Sequence, residues 1–292
     1  MTRRAPFTLL LLSLLVYGCS GPADAPAVAA LSVSLESASV EAGSVIEVSY
    51  RFTVPATAPP LTDDYVVFVH AVDAGGRRVW NDDHPPQPAT REWTPGRVIE
   101  YLRPVLVPRT SAPGDVHLEM GLYSPSTGER LPLDAPAAGR RAYRVASMRV
   151  LPPTSVTMPA IFVDGWSGVE RAADAAGTQW RWSAAEGHLW FRNPRHESAL
   201  VLQLDGSVHG VDEPRRVEIR AGSMVVDRFE LPQGRTEVRR IPVPAEALGD
   251  EDIARMVIAV DDAVVPARLA GAAGGDTRSL GVRVFDAYLE PR

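Results

Sequence analysis

The stretch Val45-Ile46-Glu47-Val48-Ser49-Tyr50-Arg51-Phe52 decides the fold class of this chain. Apolar or aromatic residues occupy positions 46, 48, 50 and 52, and polar residues occupy the positions between them. Successive side chains of a β-strand point to opposite faces, so this alternation predicts a half-buried strand. We therefore expect Ile46, Val48, Tyr50 and Phe52 to face a core.

Similar short runs of β-branched and aromatic residues recur around this strand, with no helical period between them. Turn signals such as Ala74-Gly75-Gly76 and Pro113-Gly114-Asp115 separate them. About seven strands within some 120 residues are typical of an immunoglobulin-like or fibronectin III-like sandwich. We assign this sandwich to residues 30–152.

A second strand-rich region follows the pair Pro152-Pro153, which cannot continue a β-ladder and stiffens a linker. About eight or nine further strands predict a second, jelly-roll-like sandwich over residues 153–292. Only residues 244–248 suggest a single helical turn. The sequence therefore predicts an all-β protein with two sandwiches in tandem.

The N-terminus has the layout of a secretory signal. Arg3 and Arg4 precede the apolar run 7–17, which is shorter than the roughly 20 residues that a membrane-spanning helix needs. The sequence Val16-Tyr17-Gly18-Cys19 resembles the lipobox of bacterial lipoproteins. The alternative is an ordinary signal peptide with a chance cysteine.

The lipoprotein resemblance implies a signal peptide at residues 1–18 and a flexible tether at 19–29. Cys19 would carry a diacylglycerol and its amine a further acyl chain such as palmitate, which together hold a protein stably on a membrane. Ser20, rather than Asp, implies sorting to the outer membrane. Cys19 is the only cysteine, so no disulfide is expected in the exported part.

The charge pattern gives no support for a nucleic-acid partner. All 30 basic residues are Arg, and the formal net charge is −6. Nucleic-acid binding needs a basic balance with clustering on one face, and neither is visible. A soluble, acidic surface is expected instead.

The first sandwich carries three motifs: Trp80-Asn81-Asp82-Asp83-His84-Pro85-Pro86, Trp93-Thr94-Pro95-Gly96 and Gly121-Leu122-Tyr123. Together they resemble a module found in bacterial envelope proteins and beside membrane glycosyltransferases, to which no activity is attached. Asp82, Asp83 and His84 are weak metal candidates, because carboxylates and imidazole are suitable ligands. The alternative is a loop capped by Asp and directed by the prolines. We predict no metal and no cofactor.

The second sandwich has four of the six tryptophans within residues 166–190. Gly165-Trp166, Glu170, Arg181-Trp182 and the late segment 276–281 (Asp-Thr-Arg-Ser-Leu-Gly) resemble a second envelope module, also appended to bacterial membrane glycosyltransferases. This resemblance covers residues 161–289.

Tryptophan beside carboxylate and guanidinium groups suits a sugar, whose C–H face stacks on indole while its hydroxyls bind the charged groups. In the alternative interpretation, Trp180, Trp182 and Trp190 form an aromatic core across a hairpin. Arg181, Glu170, Asp276 and Arg278 would then form an ion-pair network that pins the last strand. The candidate ligand-binding residues are Trp166, Glu170, Arg181, Trp182, Asp276 and Arg278.

No motif for phosphate, zinc or dinucleotide binding occurs, and no nucleophile elbow is complete. We expect a non-catalytic, lipid-anchored envelope protein that binds or organises a glycan or another surface component. One alternative is an outer-membrane lipoprotein with a structural or protein-interaction role. A glycoside-active enzyme would require one cleft containing both Glu170 and Asp276.

Overall fold

A computed structural model describes residues 25–154, 156–173, 176–269 and 275–292. The predicted signal peptide (1–18) and Cys19 lie outside these residues, as does the first part of the tether. Among the described residues no helix is both long and apolar enough to cross a membrane. Nearly all regular structure is β-strand, which confirms the all-β fold class.

The first sandwich consists of eleven strands and one 3-10 turn at Thr90–Glu92. One sheet has the strand order β6-β3-β1-β9 and the other β10-β11-β7-β4-β5, with β2 added to β11 and β8 to β7. The chain crosses between the two sheets after β1, β2, β3, β5, β6, β8 and β9, and the sheets pack face to face as in an immunoglobulin-like sandwich. The strands are β1 (Ala29–Leu35), β2 (Ser39–Glu41), β3 (Val45–Thr53), β4 (Val66–Asp73), β5 (Arg78–Asn81), β6 (Val98–Leu106), β7 (Gly114–Tyr123), β8 (Arg130–Leu131), β9 (Leu133–Asp134), β10 (Ala137–Gly139) and β11 (Ala142–Leu151).

The alternation in β3 has the predicted effect. Ile46, Val48, Tyr50 and Phe52 are all buried, and the residues between them are more exposed. Phe52 packs on Trp93 with ring centroids 4.8 Å apart, and Tyr50 stacks on Tyr101 at 5.0 Å. This core sits between the two sheets and fixes the position of β5 and of the loop that follows β6.

The second sandwich has eleven strands, a helical turn α1 (Ala245–Leu248) and a 3-10 turn at Pro266–Arg268. Its two sheets have the orders β14-β15-β22-β17-β20, with β12 added to β22, and β13-β16-β21-β18-β19. The tandem sandwiches and the single helical turn are thus confirmed. The strands are β12 (Met158–Pro159), β13 (Ile161–Phe162), β14 (Glu170–Arg171), β15 (Gln179–Trp182), β16 (Glu186–Arg192), β17 (Ser198–Asp205), β18 (Arg215–Ala221), β19 (Met224–Leu231), β20 (Thr236–Val243), β21 (Ile253–Val260) and β22 (Arg283–Pro291).

The first sandwich rests on the outer face of the sheet that contains β17, β20 and β22. Leu106 packs there against Val201 and Tyr288, all nearly inaccessible to solvent. The Tyr288 hydroxyl donates a hydrogen bond to the Gly43 carbonyl, and Arg103 Nη2 donates to the Thr236 carbonyl at 3.0 Å. Apolar contact and hydrogen bonds such as these therefore join the sandwiches along this face.

Candidate binding site

Three of the six predicted ligand-binding residues lie together, and they are bound to one another. Arg278 Nη1 lies 2.6 Å from Glu170 Oε1, and Arg278 Nη2 lies 2.7 Å from Asp276 Oδ2. Glu170 Oε2 also accepts a hydrogen bond from Trp180 Nε1 at 3.2 Å. Hydrogen bonds with Arg278 hold the pKa of Asp276 below its usual value, and the two acids raise the pKa of Arg278. We call Glu170, Asp276 and Arg278 the arginine cluster.

The other three predicted residues do not belong to the arginine cluster, and their part in ligand binding stays a prediction. Trp166 packs edge-on against Phe162 at 4.8 Å and donates from Nε1 to the His188 carbonyl at 2.9 Å. Arg181 donates to the Ser167 carbonyl at 3.0 Å. Trp182 is only 8% exposed.

The strand register identifies the face of the sheet on which Arg181 and Trp182 each lie. Arg181 pairs with Val284, whose side chain is in the sandwich core, whereas Trp182 pairs with Arg283, whose side chain is on the outer face. The two candidates therefore point to opposite sides of the sheet. Trp182 packs outside the sandwich core, in a small cluster with Trp180, Val208 and Leu280 among others.

The aromatic core of Trp180, Trp182 and Trp190, which the alternative interpretation predicted, is wrong. Trp180 and Trp182 do share one face of β15, but Trp190 lies on β16, which belongs to the opposite sheet. Trp190 pairs with Ile161 and is 38% exposed. The segment between β15 and β16 crosses from one sheet to the other, so it does not form a hairpin.

Asp82 and His84 belong to a buried network in the first sandwich. Asp82 binds Arg103 in bidentate fashion, with N–O distances of 2.7 and 2.8 Å. Burial lowers the pKa of His84 to about 4, so its ring is neutral at pH 7. It donates from Nδ1 to the Asp82 carbonyl (2.8 Å) and accepts at Nε2 from the Tyr101 hydroxyl (3.0 Å).

Asp83, the third weak metal candidate, points away from that network. Its Oδ1 accepts a hydrogen bond from the Val69 amide at 3.1 Å. The described part of the chain contains no group of three or more His, Cys, Asp or Glu placed to hold a metal ion. The loop around positions 82–84 is thus organised by hydrogen bonds to Arg103, Tyr101 and the Val69 amide.

A cavity of about 530 Å³ lies between the two sandwiches, and we call it the cleft. The first sandwich contributes the end of β5 and the loop after β6, and the second contributes β15, β17, β20 and β22. Its lining residues are Val79, Trp80, Asn81, Asp82, Asp83, Leu106, Pro108, Arg109, Thr110, Ala176, Gly177, Thr178, Gln179, Gln203, Thr236, Phe285 and Asp286.

Arg109 and Asp286 form a loose ion pair across the cleft. Arg109 Nη2 lies 3.4 Å from Asp286 Oδ1, beyond the usual range for a hydrogen bond between charged groups. The guanidinium also lies over the Tyr288 ring, 5.1 Å from its centroid. Burial raises the pKa of Asp286, and Arg109 only partly opposes this effect.

Further polar groups in the cleft are uncommitted. Within the described ranges, the side chains of Gln203, Gln179 and Thr110 make no hydrogen bond. Gln203 lies at a β-bulge: it pairs with Asp286 while the next residue pairs with Val284, and Phe285 is left over. A bulge redirects side chains, and Phe285 lines the cleft with its ring 6.2 Å from Trp180.

Sequence reasoning missed the cleft because no local motif marks it. Its uncommitted groups come from the loop after β6 and from three strands that are far apart in sequence. The one available signal was Asp82-Asp83 beside Trp80, which we interpreted as a metal candidate or a capped loop.

No family model matches this chain, and no curated protein matches it. Similar solved structures include the tandem CBM22 domains of Xyn10C from Paenibacillus barcinonensis, at 12% identity and TM-score 0.30, covering 86% of this chain and 79% of that one. A family 35 carbohydrate-binding module from an environmental isolate is 8% identical with TM-score 0.28, covering 44% and 90%. A Bacteroides uniformis β-glucuronidase is 9% identical with TM-score 0.28, covering 89% and 30%. At these scores the likeness carries no argument about the ligand of this chain.

Proposed function

We propose that this protein is a non-catalytic glycan-binding protein of the bacterial envelope, with the cleft as its binding site. The observation that carries the proposal is the chemistry of the cleft. An aromatic face, Phe285, lies beside a loosely paired Arg109 and Asp286 and beside amides that have no partner within the described residues.

This set fits a sugar in both its apolar and its polar parts. A pyranose presents a C–H face to an aromatic ring, and hydroxyls to amides, carboxylates and guanidinium groups. A volume of about 530 Å³ also lies within the range of small-molecule sites, roughly 300–1,000 Å³. Burial of polar groups is favourable only when they are bonded, so a hydroxyl-rich ligand is the best match.

The arginine cluster supports a non-catalytic role. Glycoside hydrolysis generally uses two carboxyl groups that flank the bond to be broken. Glu170 and Asp276 instead bind the same guanidinium, which leaves no space for a sugar between them.

Glycan arrays test the proposed function. The full-length protein in detergent should bind at least one bacterial glycan, and Gln203→Ala should weaken that binding. Arg278→Gln is the matched control, because its side chain lies in the arginine cluster and does not line the cleft. If no glycan binds, or if Arg278→Gln weakens binding more than Gln203→Ala, the proposal is wrong. In-cell crosslinking would then test the protein-interaction alternative.

We also propose that acylation at Cys19 anchors the protein to the outer membrane. The support is the lipobox resemblance of residues 16–19. Cys19→Ser removes the thiol that carries the diacylglycerol. The protein should then move from the membrane fraction to the soluble fraction, because stable anchoring needs more than one acyl chain. Ser20→Asp should keep the protein on membranes but retain it at the inner one. A Cys19→Ser protein that remains membrane-bound would contradict the anchor.

A further inference from the structure

A second, smaller cavity of about 250 Å³ adjoins the cleft, and we call it the side pocket. Val79 and Trp80 line both cavities. The loop after β6 also passes along both, because residues 108–110 line the cleft and residues 111–113 line the side pocket, followed there by the start of β7. The far wall of the side pocket is the turn between β4 and β5, at residues 73–77.

The two cavities differ in chemistry. The charged groups of the side pocket are already paired: Asp73 binds Arg77 at 3.1 Å, and Asp115 binds Arg149 at 2.8 Å. The backbone amide and then the side chain of Arg77 hold the pKa of Asp73 below its usual value, and the Arg149 side chain does the same for Asp115. Much of the remaining wall is apolar, formed by Ala74, Val79, Trp80, Ala112 and Pro113.

We propose that the ligand is a sugar bearing a short, uncharged apolar substituent, such as an acyl or alkyl group. The sugar occupies the cleft, and the substituent enters the side pocket past Trp80. This inference rests on the proposed function and specifies the ligand class of the same site. A bare sugar would leave the apolar walls unused, whereas an apolar group would remove them from water.

The charge balance favours an uncharged ligand. Around the cleft, Asp82 is paired with Arg103, and Arg109 is paired with Asp286. A carboxylate on the sugar would therefore compete with a carboxylate that each of these arginines already has. The substituent would likewise find no unpaired cation among the residues that line the side pocket.

Methyl, butyl and hexyl β-glucosides test the inference, because they share one sugar and differ only in apolar length. Titration calorimetry on the full-length protein should show affinity rising by roughly fourfold for each methylene buried, until the side pocket is full. Ala112→Trp fills the side pocket and should abolish this rise, so that the variant binds the three glucosides with similar affinities. Ala138→Trp places the same side chain at an exposed site on β10 and should behave as the wild type.

A second variant guards against misfolding of the first. Ala74→Leu narrows the side pocket from the opposite wall and should reduce the rise as well. Equal affinities along the wild-type series would overturn the inference, as would a rise that survives both variants. If array glycans bind but the series is flat, the proposed function stands and the inference fails. If neither binds, both fail.

Discussion

The arginine cluster and the cleft are built from the same residue types, yet they differ in how their hydrogen bonds are used. In the cluster, Arg278 binds two carboxylates at 2.6 and 2.7 Å. In the cleft, Arg109 meets one carboxylate at 3.4 Å, and the neighbouring glutamines have no partner within the described residues. Charged groups that bond closely to one another indicate a structural role. Charged groups that are loosely paired still have hydrogen bonds to offer a ligand.

Solvent exposure adds a second contrast. The arginine cluster is accessible, so its ion pairs contribute little free energy to folding. The pair Asp82–Arg103 has the same bidentate geometry but is almost fully buried. The contribution of a closely bonded ion pair to stability should therefore increase with its burial. Loosely paired groups should affect ligand binding rather than stability.

The largest expected effect is on the buried pair. Asp82→Ala leaves Arg103 buried without its counter-ion, and should lower the free energy of unfolding by about 3–5 kcal/mol. The matched control is Asp115→Ala, because Asp115 and Arg149 form a similar bidentate pair at the surface, where solvent screens it and the loss should be much smaller. Urea denaturation measures both. Equal losses would remove the distinction by depth.

The next effect is a loss of stability in acid that depends on His84. Its pKa is about 4 in the folded protein and 6.5 in the unfolded chain, so the unfolded chain binds more protons between these values. The free energy of unfolding should therefore fall by about 3 kcal/mol as pH is lowered from 6.5 to 4. Denaturation curves across this range should be flatter for His84→Gln. Parallel curves would show that His84 is not the group responsible.

A smaller effect is expected on binding at the cleft. Phe285→Ala removes the aromatic face and should weaken an array-identified glycan by about two- to tenfold, equivalent to 0.5–1.5 kcal/mol. Calorimetric titration measures the affinity, and circular dichroism checks that the fold is kept. Trp190→Ala serves as the control, because it removes an exposed aromatic from the opposite sheet. The comparison fails if Trp190→Ala weakens binding and Phe285→Ala does not.

The smallest effect should come from the arginine cluster. Arg278→Gln should lower the free energy of unfolding by about 1 kcal/mol or less, because Arg278 and its partners are solvent-accessible. The loss should shrink further in high salt, which screens exposed charges. Thermal unfolding at two salt concentrations measures it. A loss as large as that of Asp82→Ala would show that the cluster is structurally essential.

The fold was largely predictable because local alternation survives in the tertiary structure. The four apolar residues of β3 are buried as expected, and the single helical turn lies at Ala245–Leu248. Period-two patterning determines which face of a strand is buried, and turn residues determine where strands end. Both signals are local, so they can be recognised in a single sequence.

The site was predictable only in part. The contact of Glu170 with Arg278, 108 positions apart, was expected in the alternative interpretation, as part of an ion-pair network. The separation of Arg181 from Trp182 follows from the alternation of side chains along β15. Which of the two faces the core depends on the strand that pairs with β15, and no local pattern in the sequence gives that pairing. The cleft depends on how two sandwiches meet, since Arg109 and Asp286 lie 177 positions apart and belong to different sandwiches.

Gly43 gives the joint between the sandwiches one more consequence. Its φ of +88° is a conformation that favours glycine, and a Cβ at this position would lie 2.5 Å from Cγ of Arg109. The space that a methyl group would occupy is instead filled by the aliphatic part of the Arg109 side chain. The position of the Arg109 guanidinium in the cleft thus depends on Gly43, a residue that does not line the cleft. A substitution at Gly43 would therefore displace the Arg109 side chain without altering any residue that lines the cleft.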